Sequence, residues 1–101
     1  MSDTTKQAPS DYDAELAYWR DVYSREPYYR PGYSFEYYEV AYRVGYQGRG
    51  RHQGRTFEEA EPDLRAEYER SRGGSPLTWE ESRDAVRAAW HRLDRMFPDS
   101  D

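Results

Sequence analysis

The feature that most constrains this chain is a pattern that recurs four times at nearly fixed spacing. It is cleanest from Thr78 to Trp90. With Thr78 as position zero, an aromatic follows at plus one (Trp79) and an acid at plus two (Glu80). An apolar residue stands at plus eight (Val86), an arginine at plus nine (Arg87) and an aromatic at plus twelve (Trp90). The same order starts at Thr56, with Phe57, Glu58, Leu64, Arg65 and Tyr68, and at Ser34, with Phe35, Glu36, Tyr42, Arg43 and Tyr46. A fourth copy starts at Asp11, with Tyr12, Asp13, Trp19, Arg20 and Tyr23. The starts lie 23, 22 and 22 residues apart. A fixed period marks a chain built from one structural unit, each unit too small to bury its own apolar face.

Within the units, apolar side chains recur at steps of three and four. The sets are Tyr12, Leu16, Trp19 and Tyr23; Phe35, Tyr38, Tyr42 and Tyr46; Phe57, Ala60, Leu64 and Tyr68; and Trp79, Val86, Trp90, Leu93 and Phe97. That spacing draws one stripe along a helix. Asp11, Ser34, Thr56 and Thr78 suit helix N-caps, and Thr56 with Glu59 and Thr78 with Glu81 predict capping boxes. Tyr33 and Tyr38 are placed for a hydrophobic staple across the second cap. Pro27, Gly48 with Gly50, and Gly73-Gly74 with Pro76 read as stops, which leaves residues 47–55 as an arginine-glycine loop. Pro62 predicts a short first turn, a kink near Glu61, then the main part of the third helix. No stretch alternates with period two for long enough to predict a strand. The expected fold is all-α: four short amphipathic helices packed as a small bundle or as two helical hairpins, with sequential helices antiparallel. Residues 1–10 read as a flexible tail, 11–97 as one four-helix repeat domain and 98–101 as an acidic tail.

Composition limits the core and the chemistry. The chain has four Leu, four Val and no Ile, but eleven Tyr and three Trp. Aliphatics at that level raise disorder as an alternative. The aromatics outweigh this, because each carries a large buriable surface. The expected core is therefore aromatic and partly polar. Cysteine is absent, which excludes disulfides and thiolate chemistry. No apolar run approaches a membrane span or a signal-peptide core, so a cytoplasmic protein is expected. His52 and His91 are isolated from each other and from any ligand pair, so no metal or other cofactor is expected. No nucleophile–base arrangement and no phosphate-binding glycine loop is present, so no enzymatic activity is expected.

Two groups of residues are left as candidate interaction sites. One is the plus-nine set, Arg20, Arg43, Arg65 and Arg87. Each adjoins the apolar stripe and is expected to reach the plus-two acid of a neighbouring antiparallel helix (Asp13, Glu36, Glu58 or Glu80), fixing register. The other is the stretch 42–55, where Tyr42 and Tyr46 precede Arg49, Arg51 and Arg55. Aromatics interleaved with arginines can stack bases and hold phosphates. The net charge of −5 opposes that use, since affinity for phosphate backbones is mostly electrostatic. Residues 34–55 carry +2 and residues 56–72 carry −3, which favours attraction within the fold or between copies.

Tyr18-Trp19-Arg20 and Glu61-Pro62-Asp63-Leu64-Arg65 carry a further likeness. Over residues 11–93 the chain resembles uncharacterised bacterial segments rich in Tyr, Trp and Arg that occur in proteins linked to general stress responses. The plus-six proline common in that pattern appears here only as Pro62; Val40 and Asp84 stand in its place elsewhere. The resemblance implies a stress-associated, non-enzymatic role and no catalytic residues. The expected function is a helical module that binds protein, with self-association as a theme. The alternative is weak binding of single-stranded nucleic acid through 42–55.

Overall fold

A computed structural model describes residues 8–96. Four helices follow one another: α1 (Ala8–Val22), α2 (Phe35–Arg51), α3 (Phe57–Ser71) and α4 (Trp79–Met96). One turn of 3-10 helix, Tyr23–Arg25, extends α1. No strand occurs among the described residues, so the all-α expectation holds. Residues 1–7 and 97–101, including Phe97 and the acidic end, lie outside the described residues.

The capping boxes form as the sequence predicts. The Thr56 amide donates to Glu59 Oε1 at 2.9 Å and the Glu59 amide to Thr56 Oγ1 at 3.1 Å. The Thr78 amide donates to Glu81 Oε1 at 3.0 Å and the Glu81 amide to Thr78 Oγ1 at 3.2 Å. Ser34 caps α2 without a side-chain hydrogen bond. Tyr33 meets Tyr37 edge-on. α1 begins at Ala8, so Asp11 lies inside the helix and not at its cap.

α3 is one continuous helix through exposed Pro62. A proline this close to the N-terminus removes a single backbone bond, and the capping box already fixes the first turn. α2 runs through Gly48 and Gly50 to Arg51, so the predicted loop 47–55 is helical in its first half. A glycine weakens a helix by only about 1 kcal/mol, and here the loss is offset by contact. A Cβ on Gly45 would collide with the Val86 carbonyl oxygen of α4, and one on Gly48 would collide with Leu64 Cδ2 of α3. Gly45 lets α2 approach the backbone of α4, and Gly48 makes room for the Leu64 side chain of α3.

The helices pair as two antiparallel hairpins, α1–α2 and α3–α4. In each, the plus-one aromatic of one helix meets the plus-twelve aromatic of the other, in both directions. Tyr12 packs on Tyr46 (5.1 Å between ring centres) and Tyr23 on Phe35 (5.2 Å). Phe57 packs on Trp90 (5.9 Å) and Tyr68 on Trp79 (6.0 Å). The hairpins then join along α2 and α4, which run side by side in the same direction. Gly45 faces Val86 and Ala89, and Arg49 reaches Asp94 one turn further on. Gly45 and Ala89 occupy the same step, plus eleven, of their units.

The core is aromatic: Trp19, Phe35, Tyr38, Tyr42, Phe57, Tyr68, Trp79 and Trp90 are all buried. Its hydroxyls are paired where it is deepest. The Tyr68 hydroxyl donates to the Leu77 carbonyl at 2.7 Å, and Ser82 Oγ donates to the Thr78 carbonyl at 3.0 Å.

Candidate functional site

The stretch 42–55 builds the C-terminal half of α2 and the turn after it. Its helical form sorts its residues by face. Tyr42 points inward and is 1% exposed. Its ring stacks on Trp19 with centres 4.5 Å apart and planes 9° apart, and its hydroxyl pairs with that of Tyr28 at 2.7 Å. Burial pushes both hydroxyls well above the usual tyrosine range. Tyr42 is therefore a core residue that no base or partner can reach. Tyr46 is half-buried against Tyr12 and borders a cleft of about 260 Å³ with Gln47, Arg49, Gly50, Gln53 and Leu93. The Tyr12 hydroxyl beside it is buried and lies against the Arg43 guanidinium. Burial raises its pKa, against the pull of the Arg43 guanidinium.

The arginines of this stretch face acids from the other hairpin. Arg49 is itself buried, and its Nε donates to Asp94 Oδ1 at 2.6 Å. Asp94 Oδ2 also meets His91 Nδ1 at 3.2 Å. Arg51 reaches Glu67 at 4.0 Å. Arg55 approaches Asp63 at 3.8 Å, contacts His52 Nδ1 at 2.9 Å and donates to the Glu59 carbonyl at 2.7 Å. His52 Nε2 lies 3.9 Å from the same Asp63. The positive 34–55 segment and the negative 56–72 segment thus meet inside one molecule.

The plus-nine arginines divide by hairpin. Arg65 reaches Glu80 and Arg87 reaches Glu58, both at 3.8 Å, across α3 and α4. These are the plus-two acids of the partner helix, in the reciprocal register expected. All four groups are more than 40% exposed, so each pair contributes under about 1 kcal/mol. In the other hairpin, Arg20 lies over the Phe35 ring at 4.7 Å and Arg43 lies beside Tyr12.

The stronger ion pairs fall at positions that the repeat did not single out. Arg83 makes a two-pronged contact with Glu61, Nη2 to Oε1 at 2.9 Å and Nε to Oε2, while its guanidinium lies over Phe57 at 5.2 Å. The Arg83 hydrogen bond holds the Glu61 carboxyl below the usual carboxylate range. Arg92 donates to both oxygens of Glu15 at 2.9 and 3.1 Å and covers the Tyr18 ring at 3.6 Å. The Glu15 side chain is 5% exposed. A signal existed: Glu15 stands four residues before Trp19, on the same helix face, where a carboxylate needs a partner.

Among the described residues, no group of three His, Asp or Glu side chains could hold a metal ion. No helix of the described residues is long and apolar enough to cross a membrane. Comparison with family models, curated proteins and solved structures found no match.

Proposed function

We propose that this chain is a non-catalytic helical module that binds protein by associating with copies of itself. The observation that carries this reading is a difference between the two hairpins. In α3–α4 the aromatics Phe57, Tyr68, Trp79 and Trp90 are all buried. In α1–α2 and its connection, Tyr23, Tyr28, Tyr29, Tyr33 and Tyr37 pack on the core but are only half-buried. The first hairpin thus carries more aromatic surface than one copy can bury. Tyrosine is enriched at protein interfaces because it combines a large apolar body with a polar tip.

The basic stretch supports this reading over nucleic-acid binding. Arg49, Arg51 and Arg55 each face a carboxylate, which weakens the field a phosphate backbone would meet. The motif likeness to stress-response segments suggests the condition under which to look for association.

Light scattering across a dilution series tests the reading. A defined oligomer that dissociates on dilution is the expected result. Joint Tyr33→Ser and Tyr37→Ser substitution should weaken it by roughly tenfold, as loss of interface aromatics does. A chain that stays monomeric at every concentration contradicts the proposal.

A further inference from the structure

We infer that copies of this chain associate by exchanging α1, each α1 leaving its own α2 and α4 and seating on those of the other copy. This rests on the self-association proposed above and names its mode.

The two hairpins provide an internal comparison. α3 is locked to α2 where Leu64 fills the notch left by Gly48, so close that a Cβ there would collide. The equivalent step of α4 carries Arg92 in place of glycine. α1 therefore meets α4 through a long charged side chain, where α3 meets α2 through an apolar one set in a notch: Arg92 bridges to Glu15 and covers Tyr18. Among the described side chains of α1, only Trp19 is apolar and buried, and the other buried one is Glu15. The rest of the α1 apolar stripe, Leu16 and Val22, is only half-buried. A helix with one fully buried apolar anchor, a half-buried stripe and a carboxylate that depends on one arginine for its burial belongs to the less stable end of a fold.

The chain after α1 is shaped as a hinge. α1 passes into the 3-10 turn Tyr23–Arg25, then into extended backbone at Glu26 (φ −79°, ψ 149°), as expected before Pro27. Ser24, Arg25 and Pro27 are exposed. Beyond Pro27 the connection is tied to α2, by the Tyr28–Tyr42 hydroxyl pair at 2.7 Å and by the Arg30 amide donating to the Tyr38 hydroxyl at 2.8 Å. The hinge is thus placed at residues 24–27, where exchange would open the Glu26 amide to Tyr23 carbonyl bond (3.2 Å) and the Tyr29 amide to Glu26 carbonyl bond (3.0 Å). The seat that α1 leaves fits one occupant best, an identical α1, because it matches Trp19 to Tyr42 and Glu15 to Arg92. Exchange reuses those contacts and adds only what forms at the hinge. The half-exposed tyrosines that follow the hinge are in position to become that added contact.

The chain has no cysteine of its own, so a cross-link can be placed cleanly. In the full chain carrying Tyr12→Cys and Tyr46→Cys, a short bismaleimide applied to the isolated dimer should yield covalent dimers on a denaturing gel. Covalently closed monomers from that dimer would overturn exchange while leaving self-association intact. Absence of any dimer, even after refolding at high concentration, would overturn both. The Glu15→Gln chain keeps every aromatic contact and provides a second readout. It should interconvert monomer and dimer roughly tenfold faster, the kinetic equivalent of losing one charge-assisted hydrogen bond. The final ratio should stay unchanged, because both states lose the same bond. An unchanged rate, or a shifted ratio, counts against exchange.

Discussion

Glycine does different work at neighbouring positions of α2. Gly45 and Gly48 are contact points, whereas Gly50 has open space where a Cβ would go. Gly45→Ala should cost about 2–3 kcal/mol, because the obstruction is the Val86 backbone and cannot move aside. Gly50→Ala should stabilise by about 0.5–1 kcal/mol through helix propensity alone. Chemical denaturation of the two variants should give opposite signs. The tyrosines make a pH prediction. Burial holds Tyr28 and Tyr42 above the ordinary value of 10.0, so the fold favours their neutral forms. That contribution is fully present below pH 10 and is lost as pH rises beyond it. Alkaline unfolding should therefore coincide with a late step of tyrosinate absorbance. A step well before loss of helix would show that the hydroxyl pair opens independently. The role of the glycines was not legible in the sequence. A glycine that ends a helix and one that admits a neighbour are the same residue, and the difference lies in what stands opposite.

At the level of helices, the ion pairs separate by geometry. Arg83→Ala removes a two-pronged, half-buried contact with Glu61 and should cost about 1–2 kcal/mol. Arg65→Ala and Arg87→Ala should each cost well under 1 kcal/mol, as exposed pairs do. Glu61 is held below the ordinary 4.5, so its share of stability is present above that pH and is lost as pH falls below it. Thermal melts of Arg83→Ala across the acid range should show that limb flattened. The aromatics at plus one and plus twelve were legible as core in α3–α4 and at Phe35, whereas Tyr12, Tyr23 and Tyr46 are only half-buried, and the plus-nine to plus-two pairing was legible in α3–α4. The pairs at Arg83, Arg92 and Arg49 were not, since each depends on how one hairpin sits on the other or on an off-pattern step.

At the scale of the molecule, two hairpins with the same reciprocal contacts meet along α2 and α4. Titration with labelled single-stranded nucleic acid at low and moderate salt should show no steep, salt-dependent binding. If it does, residues 42–55 open from their acids and the interaction reading must give way. The parallel course of α2 and α4 has an electrostatic consequence. Their C-terminal ends lie on the same side of the fold, so the partial negative charges of two helix macrodipoles are brought together. Arg49 and Arg51 in the last turn of α2 and Arg95 in the last turn of α4 stand where that charge gathers. The basic run that invites comparison with a phosphate site thus serves as the counter-charge for two aligned helix ends.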